Sequence, residues 1–196
     1  MQKIVPFIIV FLFIIFSGCG SQKNAQDLPS GASSESQSIF PVTSFLRGQL
    51  LEIDSMPVTP LRIITVDGKS DSTWLKRADI RSQATPFLTP VIDSVNMASL
   101  FSEKSFLDQT INSFTFSYDP KATLPDSLHI RHWDVYINPQ TNSVSRIYIV
   151  KEKNENNIDS TMQLTWLADK WYSIRTIEKE QGKEPKVKEM KMIWDF

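Results

Sequence analysis

Cysteine is almost absent from this chain: Cys19 is the single cysteine among 196 residues. No disulfide can form within one chain, and no cysteine cluster is available to bind zinc. The stability of the folded part must therefore come from an ordinary hydrophobic core.

Glycine is also scarce, and only Gly48, Gly68 and Gly182 follow the first 38 residues. Loops that cradle phosphate groups need clustered glycines, and the G-x-S-x-G elbow of many hydrolases is not present. The spacing of the serine and acidic residues supports no catalytic assignment either, so we assign no catalytic residue.

Histidine and basic charge are too limited to indicate a metal or a nucleic acid. The only two histidines are His129 and His132, at the start of a predicted strand. Residues three apart on a strand point to opposite faces, so the pair is badly placed to share a metal ion. The formal net charge of −1 lacks the basic excess that nucleic-acid binding usually requires. We predict no metal, no cofactor and no nucleic-acid partner.

The apolar run that opens the chain is too short to span a membrane. It follows Lys3 and extends from Ile4 to Phe16, thirteen residues without a charged or polar side chain. As a helix it would be roughly 20 Å long, against about 30 Å of hydrocarbon in a bilayer. This length is typical of the apolar region of a secretory signal peptide.

The residues that end this run, Phe16-Ser17-Gly18-Cys19, resemble the lipobox of bacterial lipoproteins, although Phe16 replaces the usual aliphatic residue. The resemblance implies that the Cys19 thiol receives a diacylglycerol and that the signal is cut before it. The new amino terminus can then take a further acyl chain such as palmitate. Two alternatives stay open: an ordinary signal peptide cut near Ser17 or Gly20, and an uncleaved anchor. Each of them places the folded part outside the cytoplasm.

A polar segment separates the cysteine from the rest of the chain. Residues 20–38 are rich in Ser, Gln, Gly and Ala, a composition that favours a flexible tether. As a random coil its end-to-end distance would be roughly 25 Å. We therefore predict a signal peptide at 1–18, the lipidated cysteine and tether at 19–38, and one domain at 39–196. Gly20 supplies no obvious inner-membrane retention signal, so we expect the outer membrane, facing the periplasm.

The first part of the domain is predicted to be mainly helical. Apolar residues recur every three to four positions from Val42 to Ile53, which predicts a helix. A second helical region is predicted from Leu75 to Ile92, interrupted by Pro86 and Pro90, and a short third helix from Ser102 to Ile111.

Strand patterns dominate the remainder. Asp67-Gly68 predicts the turn of a hairpin formed by Leu61–Val66 and Ser70–Leu75. In the last third, apolar and polar residues alternate repeatedly, at 114–118, 133–137, 144–150, 161–166, 171–177 and 190–196. We predict an α+β fold in which N-terminal helices pack on a curved antiparallel meander of about five strands. A small β-barrel with helices is the alternative.

Aromatic residues are the one compositional feature with functional potential. A row of rings on the open face of the sheet could stack against a sugar, a lipid or a peptide. The candidates for such ligand binding are Trp133, Tyr136, Tyr148, Trp171 and Tyr172. The alternative interpretation is ordinary core packing on both faces of the sheet.

These features predict a membrane-anchored lipoprotein of the cell envelope that acts as a non-enzymatic binding or accessory module. Its partner would be a protein, a lipid or a glycan. Two other hypotheses remain: a small hydrolase without a cofactor, and a carrier that encloses an acyl chain in an apolar cavity.

Overall fold

The computed structural model describes residues 38–195. The chain separates into two units, Met1–Ser33 and Ser34–Phe196, and the described residues belong to the second. The predicted signal peptide, Cys19 and the predicted tether up to residue 37 lie outside the described residues.

Nine strands and four helices form the described part of the chain. None of these helices is long and apolar enough to cross a membrane. In chain order the elements are α1 (Val42–Ser55), β1 (Leu61–Val66), β2 (Lys69–Trp74), α2 (Ala78–Gln83), α3 (Thr85–Leu88), α4 (Ser94–Met97), β3 (Phe101–Asp108), β4 (Ser113–Pro120), β5 (Ile130–Ile137), β6 (Val144–Glu155), β7 (Ile158–Leu167), β8 (Trp171–Glu180) and β9 (Lys186–Ile193).

All nine strands belong to one open antiparallel sheet, in the order β2-β1-β9-β8-β7-β6-β5-β4-β3. Strands β3 to β9 form a meander, and β1 extends it by pairing with β9, where Leu61 lies opposite Ile193. The edges are β2 and β3. The predicted fold class is therefore wrong: the molecule is mainly a nine-stranded sheet with few short helices, and the alternative of a barrel is wrong as well.

The largest local error concerns β3. The segment from Ser102 to Ile111 was expected to be helical, but Phe101–Asp108 pairs with β4 along its whole length. Short segments of mixed polarity carry little periodic signal, and pairing with a neighbouring strand decides their structure. The position of β1 beside β9 could not be predicted either, because these strands are far apart in the chain and only their pairing brings them together.

Two predictions from local patterns are confirmed. Helix α1 forms, and Val42, Leu46, Leu50 and Ile53 on its apolar stripe are buried. The hairpin between β1 and β2 also forms, and both turn residues of Asp67-Gly68 have positive φ, as a tight two-residue hairpin requires. The left-handed conformation at the other turns is mostly supplied by Asn and Asp, at Asn112, Asn142, Asn156, Asn157 and Asp169. Their tolerance of this conformation explains how so few glycines suffice.

The helices pack on one face of the sheet, called the covered face below. Phe87 of α3 lies with its ring centroid 5.4 Å from that of Trp166 and 5.3 Å from that of Tyr172. The Tyr172 hydroxyl donates a hydrogen bond to the carbonyl of Ile80 in α2, 3.1 Å away. The described core residues form one cluster between Ile39 and Trp194. The second unit thus contains its own core.

Lys151 of β6 fastens α3 to the sheet. Its ammonium group donates to the carbonyl of Pro86 within the short helix and to that of Thr89, which follows it. Burial lowers the pKa of Lys151 to about 8. The hydrogen-bonded carbonyls compensate part of the cost of placing an ammonium group under the helix layer.

Truncation of Phe87 should destabilise the chain 34–196 strongly. Phe87 is fully buried, and Phe87→Ala leaves a cavity between the helices and two aromatic side chains of the sheet. We expect the free energy of unfolding in urea to fall by about 3–5 kcal/mol. Val95→Ala is the control because the Val95 side chain is 92% exposed, and its effect should stay within about 0.5 kcal/mol. Equal effects of the two substitutions would contradict the assigned packing.

Candidate functional site

The face of the sheet opposite the helices is called the open face. Side chains alternate between the two faces along each strand, so directly paired residues of neighbouring strands share a face. Trp133 and Tyr172 are fully buried on the covered face. Tyr136, Tyr148 and Trp171 have the opposite parity and lie, partly exposed, on the open face.

Four residues form a continuous line across the open face, the aromatic row: Tyr136, Arg146, Leu167 and Trp171. They come from the adjacent strands β5 to β8, and each is directly paired with the next. Strands in a sheet are about 4.8 Å apart, so the row is about 14 Å long. Its two rings are large apolar surfaces that the helix layer does not cover.

A basic side chain lies over one face of each ring of the row. The guanidinium carbon of Arg146 is 4.0 Å from the centroid of the Tyr136 ring, and the ammonium nitrogen of Lys191 is 4.4 Å from that of Trp171. Each cation is attracted by the negative face of its ring, and the contact holds both side chains in place. The open face therefore presents two aromatic rings, each stacked with a cationic hydrogen-bond donor.

One end of the row borders a shallow depression of about 320 Å³, lined by Asp134, Tyr136, Arg146, Tyr148 and Thr165. Burial, with a further contribution from the charge of Asp134, raises the pKa of both tyrosines. Their hydroxyls are therefore protonated at neutral pH. The depression combines phenol, guanidinium, alcohol and carboxylate groups with two aromatic rings, a set suited to a ligand that is polar at its edge and apolar on its faces.

Next to this depression along β5, His132 connects two carboxylates. Its Nδ1 atom is 2.9 Å from an oxygen of Asp119, and its Nε2 atom is 3.0 Å from an oxygen of Asp134. The second oxygen of Asp134 accepts a hydrogen bond of 3.2 Å from the Tyr136 hydroxyl. The ammonium group of Lys104 lies 3.2 Å from the other oxygen of Asp119. We call Asp119, His132, Asp134 and Tyr136 the histidine network.

The histidine network favours the imidazolium form of His132. Hydrogen bonds to Asp134 and then to Asp119 raise the pKa of His132, although burial opposes the shift. The hydrogen bond from His132 lowers the pKa of Asp119. Burial disfavours the ionised form of Asp134, but hydrogen bonds from His132 and Ser117 outweigh it and lower the pKa of this carboxyl.

In the imidazolium form both ring nitrogens of His132 donate, and neither has a free lone pair for a metal ion or for a proton from a substrate. Within residues 38–195, no group of three or more His, Cys, Asp or Glu side chains is arranged to hold a metal. The network can therefore position Tyr136 and Asp134 at the depression, but its geometry does not resemble that of a nucleophile with its base.

Sequence reasoning missed this network. His132, Asp134 and Tyr136 occupy alternate positions of one strand, so their common face could have been recognised from the period of two. The position of Asp119 could not, because it depends on the register between β4 and β5. Arg146 was missed because nothing local indicates that it lies beside Tyr136.

The other histidine lies in a separate groove. His129 lines a polar groove of about 500 Å³ together with Asp126, Arg131, Glu152, Lys153, Asn154, Asp159, Ser160, Thr161 and Lys179. Its charges are balanced, and Arg131 pairs with Glu152 at 3.5 Å. His129 makes no side-chain hydrogen bond to a serine or an acidic residue of the described chain. The groove therefore shows no assembled catalytic group.

Comparison with protein-family models, curated proteins and solved structures gives no match. The interpretation of the open face consequently depends on its own geometry.

The pH dependence of stability tests the histidine network. The raised pKa of His132 implies a stabilisation that is complete below about pH 6.5, the value for an unfolded histidine, and is lost as the pH rises through the folded-state value. The lowered pKa values of Asp119 and Asp134 imply stabilisation that is complete above about pH 4 and lost on acidification. The network is therefore strongest between these limits.

We expect His132→Gln to lower the free energy of unfolding by about 1–2 kcal/mol at pH 5.5 and by less at pH 9. Hydrogen bonds to charged groups contribute about 1.5–3 kcal/mol, and solvent exposure of Asp119 reduces its share of that contribution. Urea denaturation of the chain 34–196 at both pH values provides the measurement. His129→Gln is the matched control, because His129 forms no ion pair with either carboxylate. A loss for His132→Gln that is the same at both pH values would refute the charged network.

Proposed function

We propose that the mature chain is a membrane-anchored lipoprotein of the cell envelope, and that its domain is a non-enzymatic binding module for a glycan. The anchor follows from the resemblance of Phe16-Ser17-Gly18-Cys19 to a lipobox. The observation that carries the binding function is the aromatic row beside a depression lined by hydrogen-bonding groups. The outer membrane, facing the periplasm, is the proposed location.

Among protein, lipid and glycan partners, a glycan fits this surface best. A sugar ring has apolar C–H faces and a polar rim of hydroxyls, which matches a surface that combines aromatic rings with cationic donors and the polar groups of the depression. Tyr136 and Trp171 are about 14 Å apart across the strands, which suits an extended ligand of several sugar rings. A peptide would need partners for its backbone, and the face of a sheet offers no free backbone groups.

The two other hypotheses receive less support. An acyl-chain carrier needs an apolar cavity, whereas Phe87, Trp166 and Tyr172 pack together between helices and sheet. A hydrolase needs a histidine with a free nitrogen near a nucleophile. His132 is paired through both nitrogens, and His129 lies in a groove without such a pair.

Intact mass spectrometry of the full chain recovered from bacterial membranes tests the anchor. We expect the mass of residues 19–196 plus a diacylglycerol, with or without one further acyl chain, because several acyl chains are needed for stable anchoring. Cys19→Ser should abolish the lipid and leave the signal uncleaved. A wild-type mass without lipid would show that the anchor is wrong.

Sedimentation of the chain 34–196 with purified peptidoglycan, and with a panel of insoluble polysaccharides, tests the binding function. We expect saturable binding to at least one of them. Trp171→Ala and Tyr136→Ala should each weaken it by about 1 kcal/mol, or roughly fivefold in Kd, through loss of one aromatic contact.

Ile111→Ser is the matched control, because Ile111 is an exposed apolar residue outside the aromatic row. It should bind as the wild type does. Absence of binding to every glycan, or the same loss in the control, would reject the glycan as the partner.

A further inference from the structure

The end of the β3–β4 hairpin exposes an unusual concentration of large apolar side chains. Four of the eight exposed large hydrophobic residues in the described chain fall between positions 106 and 114. These four are Phe106 (51% exposed), Leu107 (45%), Ile111 (47%) and Phe114 (45%). The other four are scattered over α1, β1, β2 and α4. We call Phe106–Phe114 the apolar hairpin end.

These side chains surround the hairpin instead of forming one face. Phe106 and Leu107 are consecutive in β3 and therefore point to opposite faces. Phe114 is paired with Leu107 on the side of the covered face, and Ile111 lies in the turn between the strands. Phe114 remains 45% exposed, which shows that the helix layer does not cover this corner of the sheet.

The carboxylate of Asp108 is hydrogen-bonded within the turn of the hairpin. Asp108 is the only charged residue from Ser105 to Phe116. Its carboxylate accepts hydrogen bonds from the backbone N–H groups of Thr110 at 2.9 Å and Ile111 at 3.4 Å. These two N–H groups no longer depend on water, whereas the outer edge of β3 has no strand partner in the described part of the chain, which limits insertion to the hydrated interfacial region of a bilayer.

We propose that the apolar hairpin end inserts into the interfacial region of a lipid bilayer. A bilayer surrounds an inserted segment on all sides, as the apolar residues on both faces and at the turn require. A protein groove or a second copy paired to the edge strand β3 would cover one side only. Insertion depends on apolar area, and the single negative charge gives it no attraction to anionic lipids.

The position of the hairpin is compatible with the proposed anchor, which supplies the biological setting of this inference. The described chain begins beside Tyr118, whose hydroxyl accepts a hydrogen bond of 3.2 Å from the N–H of Phe40. Along β4, Tyr118 lies about 17 Å from Ser113 next to the turn. The tether predicted for residues 20–38, roughly 25 Å as a random coil, would allow the hairpin to turn towards the membrane that holds the proposed anchor.

The experiment uses the chain 34–196, which has its own core and lacks Cys19. Ile111→Cys then introduces a unique thiol for a polarity-sensitive fluorophore. Val95→Cys is the control, because Val95 is 92% exposed but lies on α4. Phosphatidylcholine vesicles should shift the emission of the label at position 111 to the blue and leave that at position 95 unchanged. The shift should persist in 0.5 M salt, as apolar insertion predicts.

Phe106→Ser with Leu107→Ser, introduced together into the Ile111→Cys chain, should weaken partitioning at least tenfold. Trp171→Ala should leave it unchanged, which separates this inference from glycan binding. Flotation of the unlabelled wild type with vesicles gives a result that does not depend on any variant. The proposal is overturned if neither assay detects vesicle binding. It is also overturned if the shift appears without vesicles and grows with protein concentration, since a second copy would then be the partner.

Discussion

Packing of the short helices against one face of the sheet is the contact on which the rest of the structure depends. Phe87 fits against Trp166 and Tyr172, and Lys151 holds the end of the same helix. This contact decides which half of the strand side chains becomes core, because alternate residues necessarily point away from it. It also buries Trp166 and Tyr172 and leaves Tyr136, Tyr148 and Trp171 on the other side.

A sheet face without a helix layer must still accommodate the side chains that it carries. Here it does so with ion pairs, hydrogen bonds and cation–π contacts, of which the histidine network is the most extensive. Such contacts order polar side chains without excluding water, so the surface is arranged in advance and remains accessible. Order and accessibility together are the requirements for recognition by a preformed site.

The two proposed surfaces differ in chemistry, and the difference separates their partners. The aromatic row mixes rings with donors and acceptors, whereas the apolar hairpin end exposes four large apolar side chains around a turn with a single charged residue. A domain that contacts the bilayer at one corner would have its orientation restricted, which a flexible tether alone cannot achieve. The open face could then be presented to a ligand in a defined direction.

Local chemistry in the sequence was sufficient for several features. The spacing of apolar residues determined α1, Asp67-Gly68 determined the first hairpin, and alternation located most strands of the meander. The lipobox resemblance predicts the anchor from only four residues, which lie outside the described chain. Each of these inferences depends on neighbours within one turn or one strand, where the backbone periods of 3.6 and 2 are visible.

Only the tertiary structure decided the remaining features. β3 is a strand because β4 pairs with it, and β1 lies beside β9 because two distant segments match in register. The ion pair between Asp119 and His132 likewise depends on the alignment of two strands, and so does the cation–π contact between Arg146 and Tyr136. Hydrogen bonds between strands can join any two compatible segments, so their choice depends on packing of the whole domain and leaves no local mark in the sequence.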